Sequence, residues 1–463
     1  MWFASGAVLM YVPFPSLSLE ETLRRSAPVE IDKIKTSPSE ALSFSGINSV
    51  DRFRLVNRGG KAVYIITPTK GQAVSVSADD GKAAAIDALG AKQIVEDFIQ
   101  NAVTAVDGPL DFDQWIVSDD FDSFRPFYRA WTDDAHGTSL YVSAMTGEVV
   151  QRTTRRERLW NYAGAVVHWI YPTVLRKYPA LWDQVVWWLA LVGIMSALTG
   201  GVLGIDRANK SLQMKRRQIS PFRSWMRWHH ILGLCAGIFV LTWIVSGWLS
   251  MDHGRLFSTP IPSASQTARF RGIALGEALG NVKIQDLKNL GSFQEAEVIA
   301  INGITILAAR SAGSQRLYAI GETHVAISGV AEIPEPVIEK AVAAAWPGTQ
   351  VSLERPSEND VYGHLRSGSL PPSTLRAILD DGARTWVHVD ASSGRIISIM
   401  DRSRRIYRWL FNGLHSLDFP GFVDSRPAWD IVMLTLLSAG FVFSVTASVL
   451  GVKRIRKTLT RSL

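Results

Sequence analysis

The sequence predicts a membrane α-helical bundle of four transmembrane helices, the first truncated at the N-terminus. It adds two α+β domains on the outer side of the membrane, and the whole is an internal duplication. Three observations predict this. Apolar runs at 185–205, 228–251 and 430–452 are each about 20 residues long, the length a helix needs to cross hydrocarbon. Two stretches between them, 15–157 and 253–404, mix alternating strand-like segments with short helical ones. Finally, the first half of the 463-residue chain recurs in the second.

Residues 1–14 hold "MWFASGAVLMYV", apolar but too short to span, and without the basic start or cleavage site of a signal peptide. We read it as the remnant of a first transmembrane helix. Residues 15–157 form the first α+β region ("KAVYIIT", "SLYVSAM", "AKQIVEDFIQNAV"), and 158–205 a histidine-bearing segment followed by the second helix. The loop 206–227 carries Arg207, Lys210, Lys215, Arg216, Arg217, Arg223 and Arg227 against one acid, Asp206. The third helix is 228–252, the second α+β region 253–404 ("TWVHVDA", "EPVIEKAVAAAW"), and 405–452 a second histidine segment with the fourth helix. The tail, 453–463, holds Lys453, Arg454, Arg456, Lys457 and Arg461. Basic flanks stay inside, so the loop, the tail and both termini are expected in the cytoplasm and both α+β regions outside.

Composition narrows the function. The formal net charge of +7 sits in these flanks, which argues for contact with membrane lipid and against nucleic acid. Sixteen Trp match a protein with wet–apolar interfaces. Cys235 is the single cysteine, which excludes a disulfide framework, covalent haem attachment and a cysteine-held iron–sulfur cluster. There is no phosphate loop and no G-x-G-x-x-G, hence no nucleotide or flavin site, and any electron donor must be a separate protein or quinol.

The duplication is exact enough to align residues. The offset that carries His168 onto His415 also carries "LWD" 181–183 onto "AWD" 428–430, Gly147 onto Gly394, and "VLG" 202–204 onto "VLG" 449–451. A second offset carries "WFASGAVLM" (2–10) onto "WIVSGWLSM" (243–251). Met1 then corresponds to Thr242, inside the third helix, and "RSWMRWHHILGLCAGIFVL" has no first-half counterpart. Either translation starts upstream or the chain has lost the entrance to its first helix. The first is favoured, since half a span cannot satisfy its backbone against lipid.

Histidines carry the candidate chemistry. His168 and His415 each precede a span that returns from the outer side. A lone histidine there is an ordinary interfacial side chain. Its recurrence in a duplicated frame points instead to a ligand, because repeats related by an axis along the membrane normal bring equivalent residues together. Two facing imidazoles hold a haem iron axially. Trp160, Trp169, Tyr407, Trp409 and Phe411 either flank the macrocycle or form an aromatic belt. His229 and His230 open the third helix at the cytoplasmic face, as a second iron site or as a pair facing lipid phosphate. The symmetric partner of such a site would lie upstream of Met1. His253 could approach the outer site, whereas His136, His324, His364 and His388 fall in the soluble regions, and no pair has zinc spacing.

These residues resemble a family. "WHHILGLCAG" is similar to the H-R-W-L-G-type helix opening of the PepSY-associated transmembrane proteins. "LYVSAMTGEVV" and "WVHVDASSGRII" look like the closing strand-turn-strand of PepSY domains, with Ser143 where Asp is usual. The family includes inner-membrane haem-b ferric-siderophore reductases. The resemblance implies PepSY-like outer domains and one or two haem b groups. It places His168 and His415 as one axial pair, with His229 at the helix-opening histidine and His230 where Arg is usual. It further implies transfer of electrons across the bacterial inner membrane to a ferric siderophore. The alternative is a non-redox PepSY module that binds peptides or restrains an extracytoplasmic protease.

Overall fold

The computed structural model describes all residues except 214–217, 253–254, 322–326, 366–367 and 461–463. His253, His324 and the basic residues Lys215, Arg216, Arg217 and Arg461 lie outside the described residues. Among those described, three helices are long and apolar enough to cross a membrane: Pro179–Leu212, Ser224–Ser250 and Ala428–Leu459. With the N-terminal helix Trp2–Leu9 as α1, these are α2, α3 and α4. Trp188, Val192, Met195 and Val202 of α2 and Ile431, Phe441 and Val445 of α4 are exposed, so both helices present an outward apolar surface.

The predicted four-helix membrane bundle is corrected on two counts. First, α1 has 8 residues, a rise of about 12 Å against roughly 30 Å of hydrocarbon, so among the described residues only three helices have spanning length. Second, the molecule is a mixed α/β protein in which the two α+β regions are not separate domains. They share one seven-stranded antiparallel sheet. Its first-half strands are β1 (Val50–Arg58), β2 (Lys61–Pro68) and β3 (Val74–Ser77). Two four-stranded sheets flank it. One is β4 (Val103–Leu110), β5 (Phe127–Thr132), β6 (Ser139–Ser143) and β7 (Val149–Thr153). The second half contributes β8 (Glu295–Ile301), β9 (Ile304–Ser311), β10 (Ser314–Ala319) and β11 (Ser328–Val330) to the shared sheet, ordered β11-β10-β9-β8-β1-β2-β3. Next come β12 (Val351–Glu354) and a small ribbon of β13 (His364–Leu365) and β14 (Gly368–Ser369). The other flanking sheet pairs β12 with β15 (Thr374–Leu379), β16 (Trp386–Asp390) and β17 (Arg395–Met400).

Burial spacing explains the helices that cover these sheets. Ala88–Ile99 buries Ala91, Val95 and Phe98, one face of a helix, and Asp87 caps its start by accepting the Gly90 N–H at 2.8 Å. Its second-half counterpart, Glu335–Ala345, buries Ile338, Ala341, Val342 and Ala345. The offset that relates His168 to His415 relates β6 to β16 residue for residue and β7 to all of β17 but its first residue, Arg395.

The seam between the halves is charged. β1 pairs antiparallel with β8, with Phe53 opposite Val298 and Arg54 opposite Glu297. Arg54 donates to Glu295 at 3.1 Å, Arg52 to Glu297 at 2.9 Å, and Arg310 to Glu295 at 2.8 Å and also to Glu297. Both glutamates are almost fully buried, and the guanidinium charges around Glu297 hold its carboxyl well below the usual range despite burial. A one-residue slip of β1 against β8 would leave these charges unpaired, so the network fixes the register of the two halves.

Candidate functional site

Each half feeds its histidine to the same place by the same local construction. After β7, Thr154 and Glu157 form a capping box that starts the helix Arg155–Asn161, and a π-helical turn, Tyr162–Val166, precedes His168. After β17, Asp401 caps the helix Arg402–Arg408, and a π-helical turn, Trp409–Gly413, precedes His415. The two π turns are equivalent under the offset that relates the histidines. Such turns are uncommon and frequent at functional sites. In the second half Arg408, buried beside Asp418, donates to its carboxylate at 3.0 Å and to the Val361 carbonyl at 2.8 Å, tying the segment to the loop between β12 and β13.

His168 and His415 meet. Their ring centroids are 6.1 Å apart with an interplanar angle of 76°. Each ring is held by the first helix of its own half, in the same way. His168 Nδ1 lies 3.1 Å from the Trp2 carbonyl and 3.1 Å from Ser5 Oγ, and the Ser5 hydroxyl donates to Trp2 O at 2.9 Å. His415 Nδ1 lies 3.0 Å from Ser246 Oγ, whose hydroxyl donates to Trp243 O at 3.0 Å. With the serine protons committed to carbonyls, each Nδ1 carries the ring proton and donates it, which leaves Nε2 of both imidazoles as the free lone pair. Gly6 and Gly247, equivalent positions, give the rings room: an added Cβ would sit 3.4 Å from His168 Cε1 or 3.6 Å from His415 Cε1.

Both residues precede the spans, and burial lowers their pKa, for His415 to about 4. They are therefore neutral, the form that binds metal. Two imidazoles opposed on one metal, with metal–nitrogen bonds of about 2.0–2.1 Å and ring centres roughly 1 Å beyond, have centroids about 6 Å apart. The observed separation fits. Among the described residues no group of three or more His, Cys, Asp or Glu side chains converges on a point that could hold a metal ion. A porphyrin iron needs only two protein ligands, whereas a bare structural or catalytic zinc takes three or four. The donor set thus fits a haem.

Of the predicted aromatic neighbours, Phe411 is 5.5 Å from the His415 ring and Tyr407 is 5.7 Å from Phe411. Trp169 packs on Phe14 and Tyr171, Trp409 on Tyr362 and Phe419, and Trp160 is half-exposed.

His229 and His230 stand apart from this pair. Seventeen residues of α3 separate His229 from Ser246, roughly 25 Å along the helix. The two point in different directions. His229 Nδ1 is 3.0 Å from Thr446 Oγ1, with its ring stacked at 4.6 Å on Phe443 of α4, and among the described residues its Nε2 has no hydrogen-bond partner. His230 Nε2 is 2.8 Å from the Gly204 carbonyl of α2. Of the two, His229 shares with His168 and His415 the engagement of Nδ1 by a hydroxyl.

Ser5 and Ser246 were missed as site residues. The signal was present, since the Ser-Gly step is one of the identities between "WFASGAVLM" and "WIVSGWLSM". A scan against family models finds no match to this chain, and a search of curated proteins finds none either.

Proposed function

We propose that this chain is a haem-b reductase of the bacterial inner membrane that passes electrons to ferric siderophores on the outer side. The observation that carries the reading is the symmetric pair His168–His415, with centroids 6.1 Å apart and each Nδ1 anchored by an equivalent serine. The resemblance to PepSY-associated transmembrane proteins supports it. So do the three membrane-length helices and the basic residues that follow α2 and end α4, which orient the loop 206–227 and the C-terminal end toward the cytoplasm.

In this reading His168 and His415 hold one haem b near the outer face. His229 is the ligand candidate for a second haem near the inner face, and His230 braces α3 against α2 through Gly204. Bound haem supplies one-electron transfer. The chain's own residues set the conditions. Ser5 and Ser246 fix ring orientation and tautomer and thereby the basicity of the ligating nitrogen, and the apolar surroundings of Trp243, Met433 and Leu437 exclude water. Ferric iron held by hard oxygen donors becomes ferrous on accepting the electron, and the softer, larger ion is held less tightly. The donor is a separate cytoplasmic protein or a quinol, and the PepSY-like regions face the siderophore.

The test is direct. Full-length protein from haem-supplied cells is reduced with dithionite, freed of reductant, and mixed with a ferric siderophore and a ferrous-specific chelating dye. The reading expects b-type absorption bands that reoxidise in step with dye colour. Protein that takes up no haem sinks the reading and favours the non-redox module.

A further inference from the structure

The two halves differ at one joint. In the second half, the turn at Gly394 closes on a solid apolar core. A Cβ there would come within 2.9 Å of Ile333 and 3.0 Å of Ile299, both buried. In the first half, the equivalent Gly147 faces Arg58. The turn that joins β1 to β2, where Arg58 faces Lys61, matches the one that joins β8 to β9, where Ile301 faces Ile304, so a guanidinium occupies the place of the core isoleucine Ile301. Here the joint is open: a cavity of about 690 Å³ lies between the central sheet and the flanking layer of the first half. That is within the range of small-molecule sites, about 300–1,000 Å³.

The cavity has a cationic and an apolar wall. Leu17, Leu23, Ile94, Phe98, Phe121 and Phe124 supply the apolar surface. On the other side, the carboxylates at the base each meet a guanidinium: Arg54 pairs with Glu148 Oε1 at 2.7 Å and with Glu295 at 3.1 Å. Asp97 and Asp120 are exposed on the rim. Arg58 donates through Nη1 to Ser75 Oγ at 3.1 Å and to the Thr146 carbonyl at 2.8 Å, and among the described residues it has no carboxylate within ion-pair distance. Behind this wall Arg54 Nε, Glu148 Oε2 and Gln294 Oε1 are buried without a protein partner. A half-buried guanidinium without a counter-ion, where the sister repeat has isoleucine, is costly unless something anionic meets it.

We infer that this cavity binds a small amphiphilic organic anion, its carboxylate on Arg58 and its apolar body against Phe98 and the neighbouring phenylalanines. The site is independent of the histidine pair, and its test does not involve haem.

The experiment is calorimetric titration of the full chain in lipid nanodiscs with 2-naphthoate, against lipid-only discs, with neutral 2-naphthamide as the matched probe. The expected result is saturable one-to-one binding of naphthoate with a Kd below about 1 mM. Binding of naphthamide should be at least tenfold weaker. Arg58→Ile, which installs the residue of the second half, should weaken naphthoate at least tenfold while leaving naphthamide unchanged. Arg58→Lys should retain most of the affinity and guards against misfolding as the cause. Absence of saturable naphthoate binding, equal binding of the two probes, or full affinity in a folded Arg58→Ile protein would each overturn the assignment.

Discussion

Gly440 on α4 and Gly193 on α2 are equivalent positions, yet substitution by alanine is expected to act with opposite sign. A Cβ at Gly440 would lie 2.6, 2.7 and 2.8 Å from three ring carbons of Phe3 on α1, closer than any real contact. At Gly193 the nearest atom is Ile244 Cγ2 at 3.4 Å, an ordinary contact. Alanine in place of a helical glycine gains about 0.5–1 kcal/mol through reduced backbone freedom. Overpacking a tight contact costs about 1–3 kcal/mol. Phe3 has little room to yield, because its ring packs on the buried Trp243 at 5.8 Å. Gly440→Ala is therefore expected to destabilise by about 1–2 kcal/mol net, and Gly193→Ala to be neutral or stabilising by up to about 1 kcal/mol. Thermal melts of both proteins in one mild detergent, followed by tryptophan fluorescence, measure the contrast. The midpoint should fall for Gly440→Ala and hold or rise for Gly193→Ala. Equal midpoints would refute the claim that α1 seats directly on α4 at this glycine.

Two other predictions concern the sheets. Glu297→Gln keeps shape but removes a buried charge that answers Arg52, Arg310 and Arg395. It should cost about 3–5 kcal/mol, whereas Glu30→Gln, which breaks the exposed pair with Lys33, should cost at most about 1 kcal/mol; comparable thermal shifts in the two proteins would count against the seam. His388 is fully buried, accepts from Arg376 Nε at 2.9 Å and lies 2.9 Å from Ser398 Oγ. Burial first, and Arg376 second, hold its pKa down to about 4. The folded state thus keeps the ring neutral where the unfolded chain would protonate it. The resulting stability is complete above about pH 6.5 and is lost as pH falls toward 4, by roughly 3 kcal/mol. His388→Gln should flatten that part of the stability–pH profile, and an unchanged slope would contradict the assignment.

What the sequence disclosed was what its repeat disclosed. The offset between His168 and His415 predicted their meeting, and the three long apolar runs located α2, α3 and α4, whose ends differ from the predicted ones by up to seven residues. The fold class failed where long-range pairing decides. Nothing local in "VDRFRLVNR" or "EAEVIAI" says that β1 and β8 pair with each other and merge two regions into one sheet, because alternation marks a strand and not its neighbour. The segment 1–14, read from its match to the third helix as the remnant of a span, forms the 8-residue helix α1. The cavity at Arg58 was legible only after the structure showed which residue of the second half stands in its place.

The pairing of two imidazoles on one iron is tested most directly by electron paramagnetic resonance of the oxidised full-length protein and of two variants, His168→Ala and His415→Ala. The account predicts a low-spin bis-imidazole ferric signal in the wild type. Both variants should lose this same signal, leaving any second haem signal intact. Loss of different signals in the two variants, or survival of this same signal in either one, would contradict it.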